Sequence, residues 1–132
     1  MEKIITVLQG RKKSAEGLTR SSKLFKSVIK AVQEKKAENI VSLDLKKIDE
    51  AVADFFILCE AQSNTQIKAI VDNVEKIVKE DCDELPYHVE RGEKWTLIDY
   101  VNIVVHVFER DHRKFYNLES LWGDAGRVEH ND

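Results

Sequence analysis

The stretch Trp95-Thr96-Leu97-Ile98-Asp99-Tyr100-Val101-Asn102-Ile103-Val104-Val105-His106-Val107-Phe108-Glu109 holds two apolar runs separated by two residues. Each run is too short for a helix and rich in β-branched and aromatic side chains, so both read as strands, and their close succession reads as a hairpin. The joining residues suit a tight primed turn poorly, because Val101 resists a positive φ and only Asn102 tolerates one. An irregular or longer turn is expected. Alternation along the first strand sets Trp95, Leu97 and Asp99 on one side and Thr96, Ile98 and Tyr100 on the other.

Working outward, Ser63-Asn64-Thr65-Gln66 has the S-x-x-Q form of a capping box, and Ile67, Ile70, Val71, Val74, Ile77 and Val78 follow at helical spacing. A well-marked helix starts there. Before it, the continuous run Phe55 to Cys59, within residues 54–61, and the partly alternating Ile40, Val41, Leu43 and Leu45, within 39–45, are short enough to be strands. Earlier still, Leu24, Phe25, Val28, Ile29 and Val32 make an apolar stripe opposite Lys23, Lys26 and Lys30, which predicts an amphipathic helix from Ser22 to near Lys36. After the only proline, Pro86, an extended piece runs from Tyr87 to Glu90. Beyond the hairpin, residues 111–122 mix charge with Phe115, Tyr116, Leu118, Leu121 and Trp122, which predicts one or two helical turns. The fold class is therefore α/β in the α+β sense, a single domain with a mixed sheet of about five strands, two main helices and a short C-terminal helix. If both main helices lie on one face, the other is left for a partner or a second copy of the chain.

The chain has 132 residues, enough for one compact core, and a formal charge of −3 that demands no acidic partner. Its longest apolar stretches fall far short of a membrane span, and Arg11, Lys12 and Lys13 follow the first apolar run, the reverse of a signal peptide. Cys59 and Cys82 form no metal-type pair, so reduced thiols in a cytoplasmic setting are the simplest reading, with one disulfide as the alternative. Residues 1–20 show no sustained period and read as a flexible arm or a remnant foreign to the fold. The domain is placed at 22–125 and a flexible tail at 126–132.

The residues offer little for catalysis. Asp44, Asp54, Glu60 and Asp99 are the carboxylates that could hold magnesium in a nucleotidyl-transfer site, but none of them forms an Asp-x-Asp pair on a strand and no Gly-Ser dipeptide occurs. Strand-end or surface acids are the simpler reading. His106 is read first as a hydrogen-bonded sheet histidine, with a base or metal ligand near Asp111 and His112 as the alternative. Cys59 is assigned to the core. No glycine-rich phosphate loop is present. No catalytic residue, cofactor or metal ligand is therefore assigned. Lys23, Lys26 and Lys30, with Arg110, Arg113 and Lys114, read as a solvated face or as contacts to RNA phosphate. Trp95 beside Asp99 has the make-up of an interface anchor, with core packing as the competing explanation.

Four segments resemble, in order, the motifs of the Iojap or ribosomal silencing factor family: Ala53-Asp54-Phe55-Phe56-Ile57-Leu58, then Ser63-Asn64-Thr65-Gln66-Ile67-Lys68-Ala69-Ile70, then Trp95 to Tyr100 with Val104-Val105-His106-Val107-Phe108, then Arg113-Lys114-Phe115-Tyr116-Asn117-Leu118-Glu119-Ser120-Leu121-Trp122. The likeness spans about residues 22–125. Two departures stand out: Glu60-Ala61 replaces a small residue and Gly, and Val101-Asn102 replaces a Gly-Asp turn. The resemblance implies a nucleotidyltransferase-like fold without the catalytic carboxylates. It also implies a non-enzymatic role, docking on the large ribosomal subunit at protein L-fourteen and blocking small-subunit joining when nutrients are limiting. Carried onto this chain, the partner-binding candidates are Trp95, Leu97, Asp99 and Tyr100, then Arg113, Tyr116, Glu119 and Trp122, for the docking surface or its support. A homodimer is expected of the free protein. The alternative function is a divergent nucleotidyltransferase-like, phosphate-handling enzyme.

Overall fold

A computed structural model describes residues 18–48, 51, 53–116 and 126–130. Its elements in chain order are α1 (Lys23–Glu34), β1 (Glu38–Asp44), β2 (Phe55–Ala61), α2 (Asn64–Cys82), β3 (His88–Glu90), β4 (Trp95–Asp99), β5 (Ile103–Glu109), α3 (Arg110–Tyr116) and β6 (Gly126–Glu129). One mixed sheet has the order β3-β4-β5-β2-β1-β6. Only the central β2–β5 pair is parallel, because a helix and two strands intervene in sequence; the other four pairs are antiparallel.

The residue pattern accounts for these elements. In α2, Ile67, Ile70, Val71, Val74, Ile77 and Val78 are all buried, each contributing about 1.5–3 kcal/mol by leaving water. Ser63 caps the helix, its Oγ accepting from the Gln66 N–H at 3.1 Å. The reciprocal half of the box is displaced by one residue: the Gln66 Oε1 accepts from the N–H of Gln62, not of Ser63, at 2.8 Å. The helix stops at Asp83, which takes a left-handed φ of 54° and donates its N–H to the Lys79 carbonyl. Both long helices cover one face of the sheet, where Phe25, Val28, Ile70 and Val74 meet Phe55, Ile57, Cys59, Val105 and Val107.

The opposite face is not open. Val41, Leu43, Phe56, Leu58, Trp95, Leu97, Val104 and Phe108 form a second buried cluster, none more than 5% exposed. This corrects the expectation of a free apolar face. The physical sign was the uninterrupted apolar run of β2, since a strand buried on both sides has no polar alternation.

Three further readings change. Leu18–Arg20, assigned to the arm, are docked: the Leu18 N–H donates to Asp54 Oδ2 at 2.9 Å, and the Arg20 guanidinium donates to Ser42 Oγ and the Gly126 carbonyl, each at 2.9 Å. Residues 1–17 lie outside the described residues. In the expected tail, Gly126–Glu129 pairs antiparallel with β1 as a sixth strand. Its residues are exposed and only Val128 is a large apolar one, so main-chain bonds hold it at the sheet edge and no hydrophobic pattern announces it. The hairpin turn is irregular, as expected, but not longer, with Tyr100 N–H donating to the Ile103 carbonyl at 2.8 Å and Asn102 N–H to the Tyr100 carbonyl at 2.9 Å. Val101 is held at φ 73°, the left-handed region its branched side chain disfavours.

Candidate docking surface

Trp95 begins β4 and is 5% exposed. Its indole stacks on Phe108 at 4.9 Å between ring centroids, and its Nε1–H donates to His106 Nδ1 at 3.1 Å. Because Nδ1 accepts, the neutral ring carries its proton on Nε2, which has no hydrogen-bond partner among the described residues. Phe56 packs edge-on against the same imidazole at 4.6 Å. Burial pulls the His106 pKa down to about 3. The ring is thus a neutral, hydrogen-bonded sheet histidine at physiological pH.

The other candidates divide between the two ends of the hairpin. Leu97 is fully buried beside Trp95 in the second cluster. Asp99, also fully buried, accepts the Val101 N–H on Oδ1 at 2.8 Å and so holds the turn. Tyr100 lies on the helix-covered face, where burial, then Glu75 and Glu84, push its phenol pKa up. Arg113 sits at the Trp95 end, with side-chain exposures of 7% for Arg113 and 11% for its partner Glu60 across 3.3 Å. It also donates to the Asn39 carbonyl, where β1 bulges with Asn39 at φ 48°. Tyr116 ends α3, and Glu119 and Trp122 lie outside the described residues. Trp95 and Arg113 are brought to one end through the Trp95–Phe108 and Glu60–Phe108 registers, while Asp99 and Tyr100 stand at the other.

The carboxylates weighed for catalysis are each engaged locally. Asp44 accepts from the Lys46 N–H at 3.0 Å, Asp54 holds Leu18, Glu60 pairs with Arg113, and Asp99 closes the turn. Among the described residues, no three His, Cys, Asp or Glu side chains converge to hold a metal. Cys59 and Cys82 are free thiols, and burial pushes Cys59 up to about 12, which leaves it protonated. One cluster escaped the sequence reading. Lys94, Glu109 and the Asp111 N–H converge where β5 passes into α3, and their hydrogen bonds, Lys94 first, draw Glu109 down to about 2. Only strand pairing reveals it, since Lys94 and Glu109 are 15 residues apart.

The two basic sets are also separated. Lys23 and Lys26 are exposed on α1, whereas Arg113 is committed to Glu60 and Arg110 lies 3.6 Å from Asp111. Lys46 and Arg20, both over the Phe55 ring, were not singled out by the sequence because neither belongs to a helical stripe.

Comparison with known proteins supplies the context. Residues 18–132 match the family described as "Ribosomal silencing factor during starvation". A ribosomal silencing factor of Halalkalibacterium halodurans is 42% identical over 111 residues, covering 83% of this chain and 93% of that protein. One from Bacillus subtilis is 40% identical, covering 76% and 88%. The chloroplastic protein Iojap of Zea mays is 35% identical over 78% of this chain and 45% of its own length. A crystal structure from Bacillus halodurans superimposes with a TM-score of 0.68 at 39% identity, covering 80% of this chain and 96% of that one. Another, from Chromobacterium violaceum, gives 0.70 at 31%, covering 76% and 83%. The ordered motifs, the mixed sheet with its helices on one face, and these matches agree, and the chain belongs to the ribosomal silencing factor family.

Proposed function

We propose that this protein acts by binding, without bond making: it docks on the large ribosomal subunit at protein L-fourteen, sterically blocks the small subunit from joining, and so lowers translation when nutrients are limiting. The observation that carries this reading is the family match over residues 18–132. It is supported by the local engagement of Asp44, Asp54, Glu60 and Asp99, which occupies the acids a phosphate-handling enzyme would use. In this reading Trp95, Leu97, Asp99, Tyr100 and Arg113 are supports beneath the docking surface, since none is more than 6% exposed. Tyr116, Glu119 and Trp122 are the candidates for direct contact. The protein works in the cytoplasm, and the free form pairs with a second copy of itself.

The test is a sucrose-gradient profile of purified large and small subunits, with and without the protein, its position followed by blotting. Co-migration with large subunits and loss of joined ribosomes is the expected result. A protein that stays at the top of the gradient while joining continues would sink the proposal.

A further inference from the structure

A groove of about 220 Å³ runs between the outer side of α1 and the sheet edge at β6. Lys26, Lys30 and Gln33 form its helix wall, Arg20 and His130 the opposite wall, and Phe25 and Ile29 its floor. Among the described residues no carboxylate lines it, in a chain whose overall charge is −3. Lys30 lies 3.6 Å from Asp81, which is also hydrogen-bonded by Ser27 Oγ at 3.0 Å. Lys26 has no ion pair among the described residues and is exposed.

Arg20 is the most informative member. Its Nε and Nη2 are fixed on Ser42 Oγ and the Gly126 carbonyl, and its plane sits 5.2 Å over the Phe55 ring. The guanidinium is therefore pre-positioned, yet among the described residues no carboxylate answers it. His130 is held in the same wall by Ser42 Oγ at 2.7 Å and by its edge-on contact with Phe25. Burial and the neighbouring Arg20 both lower its pKa, so this wall already carries an excess of positive potential.

We propose that this groove binds a single strand of RNA, its successive phosphates on Lys26, Lys30 and Arg20 and a base or ribose against the half-buried Ile29. Two cations four residues apart on a helix face are neighbours about 5–6 Å apart at Cβ, which suits a repeating charge better than one isolated anion. The apolar floor between cations favours a nucleotide, which offers a flat base beside its phosphate, over an acidic peptide. The inference deepens the ribosome-binding reading and rests on it: ribosomal RNA is the strand within reach of a protein docked on the large subunit. It also moves the RNA contact away from Arg113, which is buried against Glu60.

The experiment is fluorescence anisotropy of a labelled single-stranded uridine oligonucleotide with the whole protein over a series of salt concentrations. The double variant Lys26→Glu with Lys30→Gln alters side chains that are exposed, so folding should survive and is checked by circular dichroism. Its affinity should fall at least about tenfold, and the slope of log affinity against log salt should shrink by about 1.4, at about 0.7 per phosphate contact on single strands. The exposed Lys76→Gln, on α2 and outside the groove, should leave the slope unchanged. Equal binding and slope in the double variant, an equal loss in Lys76→Gln, no binding by the parent at low salt, or tighter capture of a polyglutamate peptide than of RNA would each overturn the proposal. The gradient assay keeps the two readings apart. A parent that co-migrates with large subunits while the double variant still binds the oligonucleotide fully defeats the groove alone, whereas a parent that binds the oligonucleotide through the groove but ignores large subunits defeats the silencing role alone.

Discussion

Replacing Val101 with glycine should make the protein more stable. Val101 stands at φ 73° in a two-residue turn, where a Cβ crowds the adjoining carbonyl at a cost of about 1–2 kcal/mol, with a branched side chain at the upper end. The surroundings enforce that geometry: Asp99 Oδ1 accepts the Val101 N–H at 2.8 Å, and the Asn102 carbonyl accepts from the N–H groups of Asp54 and Phe55 at 2.9 and 3.1 Å. Glycine removes the crowding but adds about 0.5–1 kcal/mol of unfolded-state entropy. Val101 is only partly buried, so little packing is lost. A net gain of about 1 kcal/mol is expected, which is about 3–4 °C in Tm for a chain of this size. Val101→Asn, which tolerates the left-handed region, should recover part of it. Urea unfolding with an unchanged m-value gives the cleanest reading. A loss of stability in Val101→Gly, with the m-value constant, would refute the assignment of strain to this turn.

Arg113→Met leaves the Glu60 carboxylate enclosed without its cation and should cost about 3 kcal/mol, most of it regained when Glu60→Gln is added; a double-variant cycle on urea midpoints that shows no recovery would sink the pairing argument. His106 predicts acid sensitivity: its pKa is about 3 folded against an ordinary 6.5, so the unfolded chain binds the extra proton and stability drops as pH falls below 6.5, by about 1.3 kcal/mol between pH 7 and 5.5. His130 is lowered in the same sense and adds to that window, so the decisive measurement is a urea midpoint at both pH values for His106→Gln; a pH slope as steep as the parent's would refute the assignment.

Periodicity made most of the fold legible. The six apolar residues of α2 and the Ser63 cap announce a helix without help from the rest of the chain, because both signals act within a few residues. The pairing of β4 with β5 was equally readable, since the two runs nearly touch in sequence. β6 was not, because an exposed edge strand is stabilised by main-chain bonds that any residue except proline can make. The covering of the second sheet face escaped as well: alternation in β4 gives the side on which Trp95 and Leu97 fall, but burial depends on packing that no local pattern records.

The candidate site shows a related ambiguity in what a motif means. Trp95, Asp99 and Arg113 are residue types suited to an interface, yet each serves the fold itself, Trp95 by stacking on Phe108, Asp99 by closing the hairpin turn and Arg113 by neutralising Glu60. A pattern of aromatic and charged residues cannot separate a contact from the scaffold that shapes it, because large rings and guanidinium groups serve both purposes. Arg20 illustrates the reverse case. It lies in no motif, yet its guanidinium is fixed by a hydroxyl and a carbonyl and, among the described residues, left without a carboxylate, which is how a cation reserved for an external anion is held. Loss of ribosome binding on mutating Trp95 would therefore speak for docking only if stability is unchanged. A loss at the exposed Lys26 carries that meaning directly, because no part of the core depends on it.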